Sequence, residues 1–273
     1  MSLEANDFEP PVVDEPAARA AHEPLLVVDR LLKRFGGFVA LDQVSFAVEP
    51  GEVVGLVGPN GSGKTTCINV ITGLYAPDGG AIRFEGRPIG GLPSHRLVHA
   101  GINRTFQVPK PFLSLTVMEN VQIAATYGHG RGPAPGSNGL VRGAATPAEL
   151  DELLERLDLA RHAQRRAEEL NSIQQKMLDL ARALATRPRL LCVDELAAGL
   201  NPDELTKVAG HLRAIAASGV AVLVVEHLMG FLEEVTDRVT VLNAGKEIFE
   251  GKLAAAVQDP RVVEVFLGTT HGE

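Results

Sequence analysis

The stretch GPNGSGKTT, residues 58–66, sets three glycines, a lysine and two threonines at a spacing that can grip phosphate. It fits G-x-x-x-x-G-K-[ST] at Gly58, Gly63, Lys64 and Thr65, with Pro59, Asn60, Gly61 and Ser62 between them and Thr66 behind. The apolar run EVVGLV (52–57) precedes it and a helix is expected from about Lys64, which is the context this Walker A pattern requires. Backbone N–H groups at the helix start would cradle phosphates, Lys64 would reach the β- and γ-phosphates, and the Thr65 hydroxyl would ligate Mg²⁺. The bland alternative is a glycine-rich turn without a ligand. Alone, the pattern implies a nucleotide phosphate and no particular enzyme.

A second constellation lies in RLLCVDE. Asp194 closes a buried strand at the carboxyl end, where open α/β sheets take their ligands. A carboxylate there calls for a cation, and Mg²⁺ is the candidate. Glu195 beside it is placed to polarise an attacking water as general base. Without the phosphate loop upstream, a solvated strand-end pair would explain both. Three further residues are weak when taken singly. His227 follows the strand VAVLVVE (220–226), Gln107 follows INRTF (102–106), and Phe35 stands in KRFGGFVAL. Each is equally an ordinary loop or core residue.

The segment ELNSIQQKMLDLARAL (169–184) reads as the opening of a buried helix. Asn171 can cap it, with Gln174 three residues on, and apolar residues recur at Met177, Leu178, Ala181 and Leu184. A capped helix start is a place where anions can bind. Ile173 so near the tip is unusual for that role.

The elements that must position these residues alternate. Short strands at 25–29, 44–48, 52–57, 81–84 and 102–106 are followed by a helical middle, 115–126 and 147–160, with a Gly/Pro-rich loop at 127–139 between. Strands at 189–194, 220–226 and 238–243 then alternate with helices, which predicts a parallel α/β sheet. The opening strands, together with KEIFEG (246–251), suggest an antiparallel layer beside it. The chain has 273 residues, enough for one large domain, and 45% of them are hydrophobic. Its longest apolar run, VAVLVV, is too short to span a bilayer. The first 24 residues are acidic and Pro-rich, so a disordered tail is expected and no signal segment. A formal charge of −8 argues against a general nucleic-acid binder. Two cysteines, Cys67 and Cys192, in buried-looking segments point to a reducing cytoplasm.

In their order along the chain, these residues resemble the nucleotide-binding subunit of ABC transporters, over nearly all of residues 25–268. Phe35, the loop 58–65, Gln107, the helix opening at Leu170, Asp194 with Glu195, AGLNP (198–202) and His227 carry the resemblance. It implies a P-loop NTPase (RecA-like) α/β core with an N-terminal antiparallel β layer and a helical subdomain inserted at about 107–169. Residues 25–268 would form this single domain, with tails at 1–24 and 269–273. It further implies ATP and Mg²⁺ as ligands. Phe35 would stack on adenine, and Gln107 would sit near Mg²⁺ and the attacking water. Asp194 would hold the metal through water, Glu195 would be the base and His227 would contact the γ-phosphate. RFGGFVALDQVSF, NRTFQ, LTVMENV, AAGLNPDE, EHLM and DPRVVEVFLG are similar to the branch serving branched-chain amino acid importers. Urea and other small polar solutes are the alternative cargo.

In that family, two subunits meet head to tail, and a signature sequence on one faces the γ-phosphate held by the other. Here Leu170, Asn171, Ser172, Ile173 and Gln174 occupy the signature. Leu170 and Gln174 fit the pattern, whereas Asn171 replaces Ser and Ile173 replaces a Gly beside the phosphate. Leu196 and Leu228 also depart, standing where Pro and Asp are usual. The signature change favours a heterodimer in which a partner cassette brings the intact sequence. The other implied partners are membrane permease subunits, which would hold the chain at the inner face of the membrane, and a solute-binding protein. A regulatory subunit with one degenerate ATP site and a soluble ATPase of nucleic-acid repair or translation are the rival readings.

Overall fold

The computed structural model describes residues 23–128 and 145–267. Two long strands, β1 (Leu26–Phe35) and β2 (Phe38–Val48), form an antiparallel pair. The fully buried β3 (Val53–Val57) then leads into α1 (Lys64–Ile71). The chain returns through β4 (Gly79–Phe84) and the short β5 (Arg87–Pro88), then α2 (Ser94–Ala100) and β6 (Ile102–Arg104). Helices α3 (Val117–Tyr127), α4 (Pro147–Arg156) and α5 (Ser172–Ala185) follow. The last part alternates: β7 (Leu190–Asp194), α6 (Pro202–Ala217), β8 (Ala221–Val225), α7 (Met229–Val235), β9 (Arg238–Asn243), β10 (Lys246–Gly251), α8 (Leu253–Ala256) and α9 (Pro260–Leu267).

These strands make two sheets, one ordered β2-β1-β4-β5 and antiparallel, the other β10-β9-β3-β8-β7-β6. In the second sheet β9, β3, β8, β7 and β6 run parallel. Covering both of its faces explains why its central strands are apolar without a polar alternation. The faces divide by residue parity. Leu190 and Cys192 of β7 and Ala221, Leu223 and Val225 of β8 pack with α1 and the antiparallel sheet. Leu191, Val193, Val222 and Val224 pack with α3, α5, α6 and α7. Helix α1 is therefore held between two sheets with Cys67, Ile68 and Ile71 buried, and each isoleucine contributes about 1.5–3 kcal/mol.

The expected strand KEIFEG forms, but not in the antiparallel layer. As β10 it pairs with β9 at the edge of the larger sheet. Ala244 and Gly245 both take left-handed φ, 46° and 78°, which makes a two-residue turn that folds β10 directly back on its predecessor. Four helices begin with reciprocal capping boxes, at Thr116/Glu119, Thr146/Glu149, Asn171/Gln174 and Asn201/Glu204. The Gly/Pro-rich loop lies outside the described residues from 129 onward, as do the expected tails except Glu23 and Pro24.

Candidate functional site

Strands β3, β7 and β8 end level with one another. Leu56 and Asp194 both pair with Val225, and β6 reaches Arg104 opposite Cys192. Consequently the phosphate-type loop, Asp194 with Glu195, His227 and Gln107 all leave the sheet at the same carboxyl edge, where such sheets bind ligands.

The loop itself is tightly packed from behind. At Gly58, with φ 150°, a Cβ would stand 2.2 Å from the Leu242 carbonyl and 2.6 Å from Ser62 Oγ. At Gly63, with φ 108°, it would stand 2.8 Å from the Ala40 carbonyl. Strands β2 and β9 thus approach the loop through backbone, and only glycine permits this. Gly63 caps α1 without a side-chain bond. Pro59 and Thr66 are half-buried, while Asn60, Gly61 and Thr65 are exposed. Ser62 is buried, and its Oγ has no hydrogen-bond partner among the described residues. Lys64 Nζ donates to the carbonyls of Gly58 at 2.7 Å and Pro59 at 2.9 Å. Burial pushes its pKa down, opposed by the negative charges of Glu195 and Asp194.

Asp194 is 4% exposed, and Arg104 Nη2 pairs with it at 3.2 Å. Burial still pushes its carboxyl up, against the pull of Arg104, with Glu195 adding to the rise and Lys64 opposing it. Arg104 also donates to Asn69 and Thr72 around the C-terminal turn of α1, and its guanidinium lies 4.9 Å from the Phe106 ring centroid. It ties the strand-end carboxylate to the helix behind the loop. Sequence reasoning gave Arg104 no role, because nothing in INRTF announces which acid it meets. Glu195 adopts a left-handed φ of 49°, with its N–H donating to the Val225 carbonyl at 2.9 Å. Gln107 Nε2 donates to Glu195 Oε2, so the two lie in direct contact. His227 is exposed at the end of β8, and Glu226 before it is fully buried.

Phe35 is 43% exposed at the tip of β1. It meets Tyr75 edge to face, with ring centroids 5.1 Å apart, and Lys33 Nζ lies 5.3 Å from its centroid. Tyr75 was not singled out from sequence. Two half-exposed aromatic rings beside a cation form an apolar shelf on the antiparallel layer.

The helix expected at Leu170 begins two residues later, at Ser172. Leu170 is buried and extended, and Asn171 is the cap. Asn171 Oδ1 accepts from the Gln174 N–H at 2.9 Å, and Gln174 Oε1 accepts from the Asn171 N–H at 3.1 Å. Gln174 Nε2 lies 3.0 Å from His162 Nε2. Asn171 and Ser172 face solvent. Ile173 is half-buried and packs against the apolar core, in a groove shared with Met177 and His211. The structure thus joins Gln107 to Glu195 by contact, sets Lys64 within reach of the charges of Asp194 and Glu195, and places His227 by strand register. It sets Phe35 on the neighbouring layer and residues 170–174 at the tip of another helix.

The profile of the family described as ABC transporter matches residues 41–198. The high-affinity branched-chain amino acid transport ATP-binding protein BraF of Pseudomonas aeruginosa is 38% identical over 254 residues, covering 90% of this chain and 98% of that protein. LivG of Escherichia coli, which carries the same description, is 37% identical over 258 residues, again with 90% and 98% covered. Among solved structures, the ADP conformation of MJ1267, an ATP-binding cassette of an ABC transporter, matches with a TM-score of 0.78 and 35% identity. It covers 90% of this chain and 100% of its own. A dimeric post-hydrolysis state of the cassette MJ0796, bound to ADP and Pi, matches with a TM-score of 0.70 and 26% identity, covering 84% and 98%.

Proposed function

This chain belongs to the ABC transporter family of ATP-binding cassettes, and from that premise we propose that it is the ATP-hydrolysing energy subunit of an importer for branched-chain or other hydrophobic amino acids. The cargo follows from the descriptions of BraF and LivG, each matched over 90% of this chain. For the catalysis, the carrying observation is the level ending of β3, β7 and β8, with Lys64, Asp194 and Glu195 electrostatically coupled there.

The residues suit a magnesium nucleotide. A helix start with no side-chain cap, a buried Ser62 hydroxyl with no partner among the described residues and a partly desolvated ammonium are what phosphate oxygens would satisfy. Among the described residues no three His, Cys, Asp or Glu side chains form a metal cage. Thr65, Asp194 and Gln107 supply hard oxygen donors, and phosphate would complete the shell. When bound with ATP, Mg²⁺ neutralises charge on the phosphate being transferred. Lys64 would exchange the Gly58 and Pro59 carbonyls for β- and γ-phosphate oxygens. Gln107 holds the Glu195 carboxylate, which would take a proton from the attacking water. His227 would hold the γ-phosphate, and Phe35 with Tyr75 would give adenine its stacking surface.

Because the signature would act across an interface, a second cassette belongs to this reading. A cassette of different sequence suits it best, since Asn171 and Ile173 stand where the family carries Ser and Gly. Membrane permease subunits would anchor the pair at the inner face of the membrane, and a solute-binding protein would deliver cargo. No helix among the described residues is long and apolar enough to cross a membrane itself.

The test is to purify the complex from native membrane, identify its subunits and measure Mg²⁺-dependent ATP hydrolysis. Leucine, isoleucine or valine should stimulate it, and Glu195→Gln should abolish turnover while ATP stays bound. Stimulation by urea alone would overturn the cargo. Turnover unchanged in Glu195→Gln would overturn the base, and a partner identical to this chain would overturn the heterodimer.

A further inference from the structure

The backbone joining Glu195 to α6 is gripped from two sides by buried charges. Lys176 Nζ donates to the Leu196 carbonyl at 2.8 Å and also to the Ala198 carbonyl. Between them, the Ala197 N–H donates to Glu226 Oε1 at 2.6 Å. A cation thus takes two carbonyls, an anion takes the intervening N–H, and each charge meets the matching end of the peptide dipole. Lys176 is 8% exposed and Glu226 is 0% exposed. Glu226 Oε2 is buried with no hydrogen-bond partner among the described residues. The segment also closes turns of its own, from Ala198 N–H to the Glu195 carbonyl and from Leu200 N–H to the Ala197 carbonyl. Burying two ionisable side chains is a costly way to secure such a connection.

The origin of the two grips gives them meaning. Lys176 stands on α5 two residues beyond Gln174, at the start of the second turn from the helix tip. Glu226 immediately precedes His227, and the gripped peptides immediately follow Glu195. Glu195 and Gly199 both hold left-handed φ, 49° and 74°, so the gripped segment is bracketed by left-handed backbone, beginning at Glu195 itself.

We propose that Lys176 and Glu226 are positioning residues for ATP hydrolysis, clamping residues 196–198 so that Glu195 and His227 move with the tip of α5. The clamp rests on the functional reading above and adds to it the route by which a nucleotide met at the helix tip aligns the base. Neither side chain touches substrate in this scheme. Both act through the backbone they hold.

The test uses the purified complex with its partner subunits. Lys176→Met should lower kcat about tenfold with KM for ATP within about twofold, and Lys176→Arg should retain about a third of the activity or more. Binding of a fluorescent ATP analogue to the full-length variant chain should stay within about twofold of wild type. The double variant Lys176→Met/Glu226→Gln should lose no more than Lys176→Met alone, since both act on one segment. Glu226→Gln keeps an acceptor for Ala197 and should cost about threefold in kcat; with Lys176→Arg it decides the matter if Lys176→Met does not fold. Wild-type kcat in Lys176→Met or in Glu226→Gln would overturn the clamp. So would losses that multiply in the double variant, or Lys176→Arg falling as far as Lys176→Met in step with its melting temperature. A wild-type complex that hydrolyses no ATP would instead overturn the functional reading.

Discussion

At the scale of residues, the phosphate loop is a problem of space before it is one of charge. Gly58 and Gly61 both take positive φ, yet their surroundings differ. A methyl at Gly58 meets a carbonyl and the Ser62 side chain, whereas one at Gly61 meets nothing within 4 Å. Gly58→Ala is therefore expected to cost about 2–4 kcal/mol through backbone displacement. Gly61→Ala should cost about 1 kcal/mol, the price of left-handed φ alone. Urea unfolding of the two full-length variants checks this, and equal midpoints would contradict it. Lys64 and Asp194 follow the same logic of context. Each is an ordinary ionisable residue made costly by burial: Lys64 is met by the Gly58 and Pro59 carbonyls of its own loop, and Asp194 by Arg104 from the neighbouring strand, the partner least visible in sequence.

Among the elements, α5 carries the most. Its cap was legible from Asn171 and Gln174, because a capping box is a local pattern and both of its hydrogen bonds form within four residues. The direction of Ile173 was not legible. From sequence it is a bulky residue intruding on a phosphate site; in the fold its side chain turns onto the core beside Met177. Ile173→Gly should therefore destabilise the chain by about 1–3 kcal/mol, combining lost contact with the low helix propensity of glycine. Chemical denaturation reads it, and an unchanged midpoint would mean that Ile173 points away from the core. The edge strand β10 teaches the converse. Its β character was plain, but its partner depended on the turn at Ala244 and Gly245.

For the whole molecule, stability should fall on mild acidification, and one histidine should account for part of it. His211 on α6 is held below its ordinary pKa of 6.5, first by burial and then by Lys207 and Arg156, with Asp158 at 3.7 Å opposing. Since the fold depresses this pKa, the neutral ring contributes stability that is fully present above the ordinary value. That contribution is lost as pH falls through the folded value. The melting temperature should drop between about pH 7.5 and about pH 5.5, and His211→Gln should shrink that drop by about 1–3 °C. An equal drop in the variant would exclude His211 as the cause. The carboxylates of Asp78, Glu119 and Glu149, each held low first by a backbone N–H, act in a separate and more acidic window.

What the sequence determined by itself was everything written in short spacings: the glycine loop before Lys64, the strand-end acids, the capped helix and the alternation that makes a parallel sheet. These are local because they depend on φ preferences, capping bonds and side-chain periodicity within a few residues. Only the tertiary structure decided which distant groups meet. It brought Arg104 to Asp194, Gln107 to Glu195, Tyr75 to Phe35, and Lys176 with Glu226 to one stretch of backbone. The physical reason is that burial sets the cost of a charge, and a buried charge is tolerated only where the fold delivers its complement from another element.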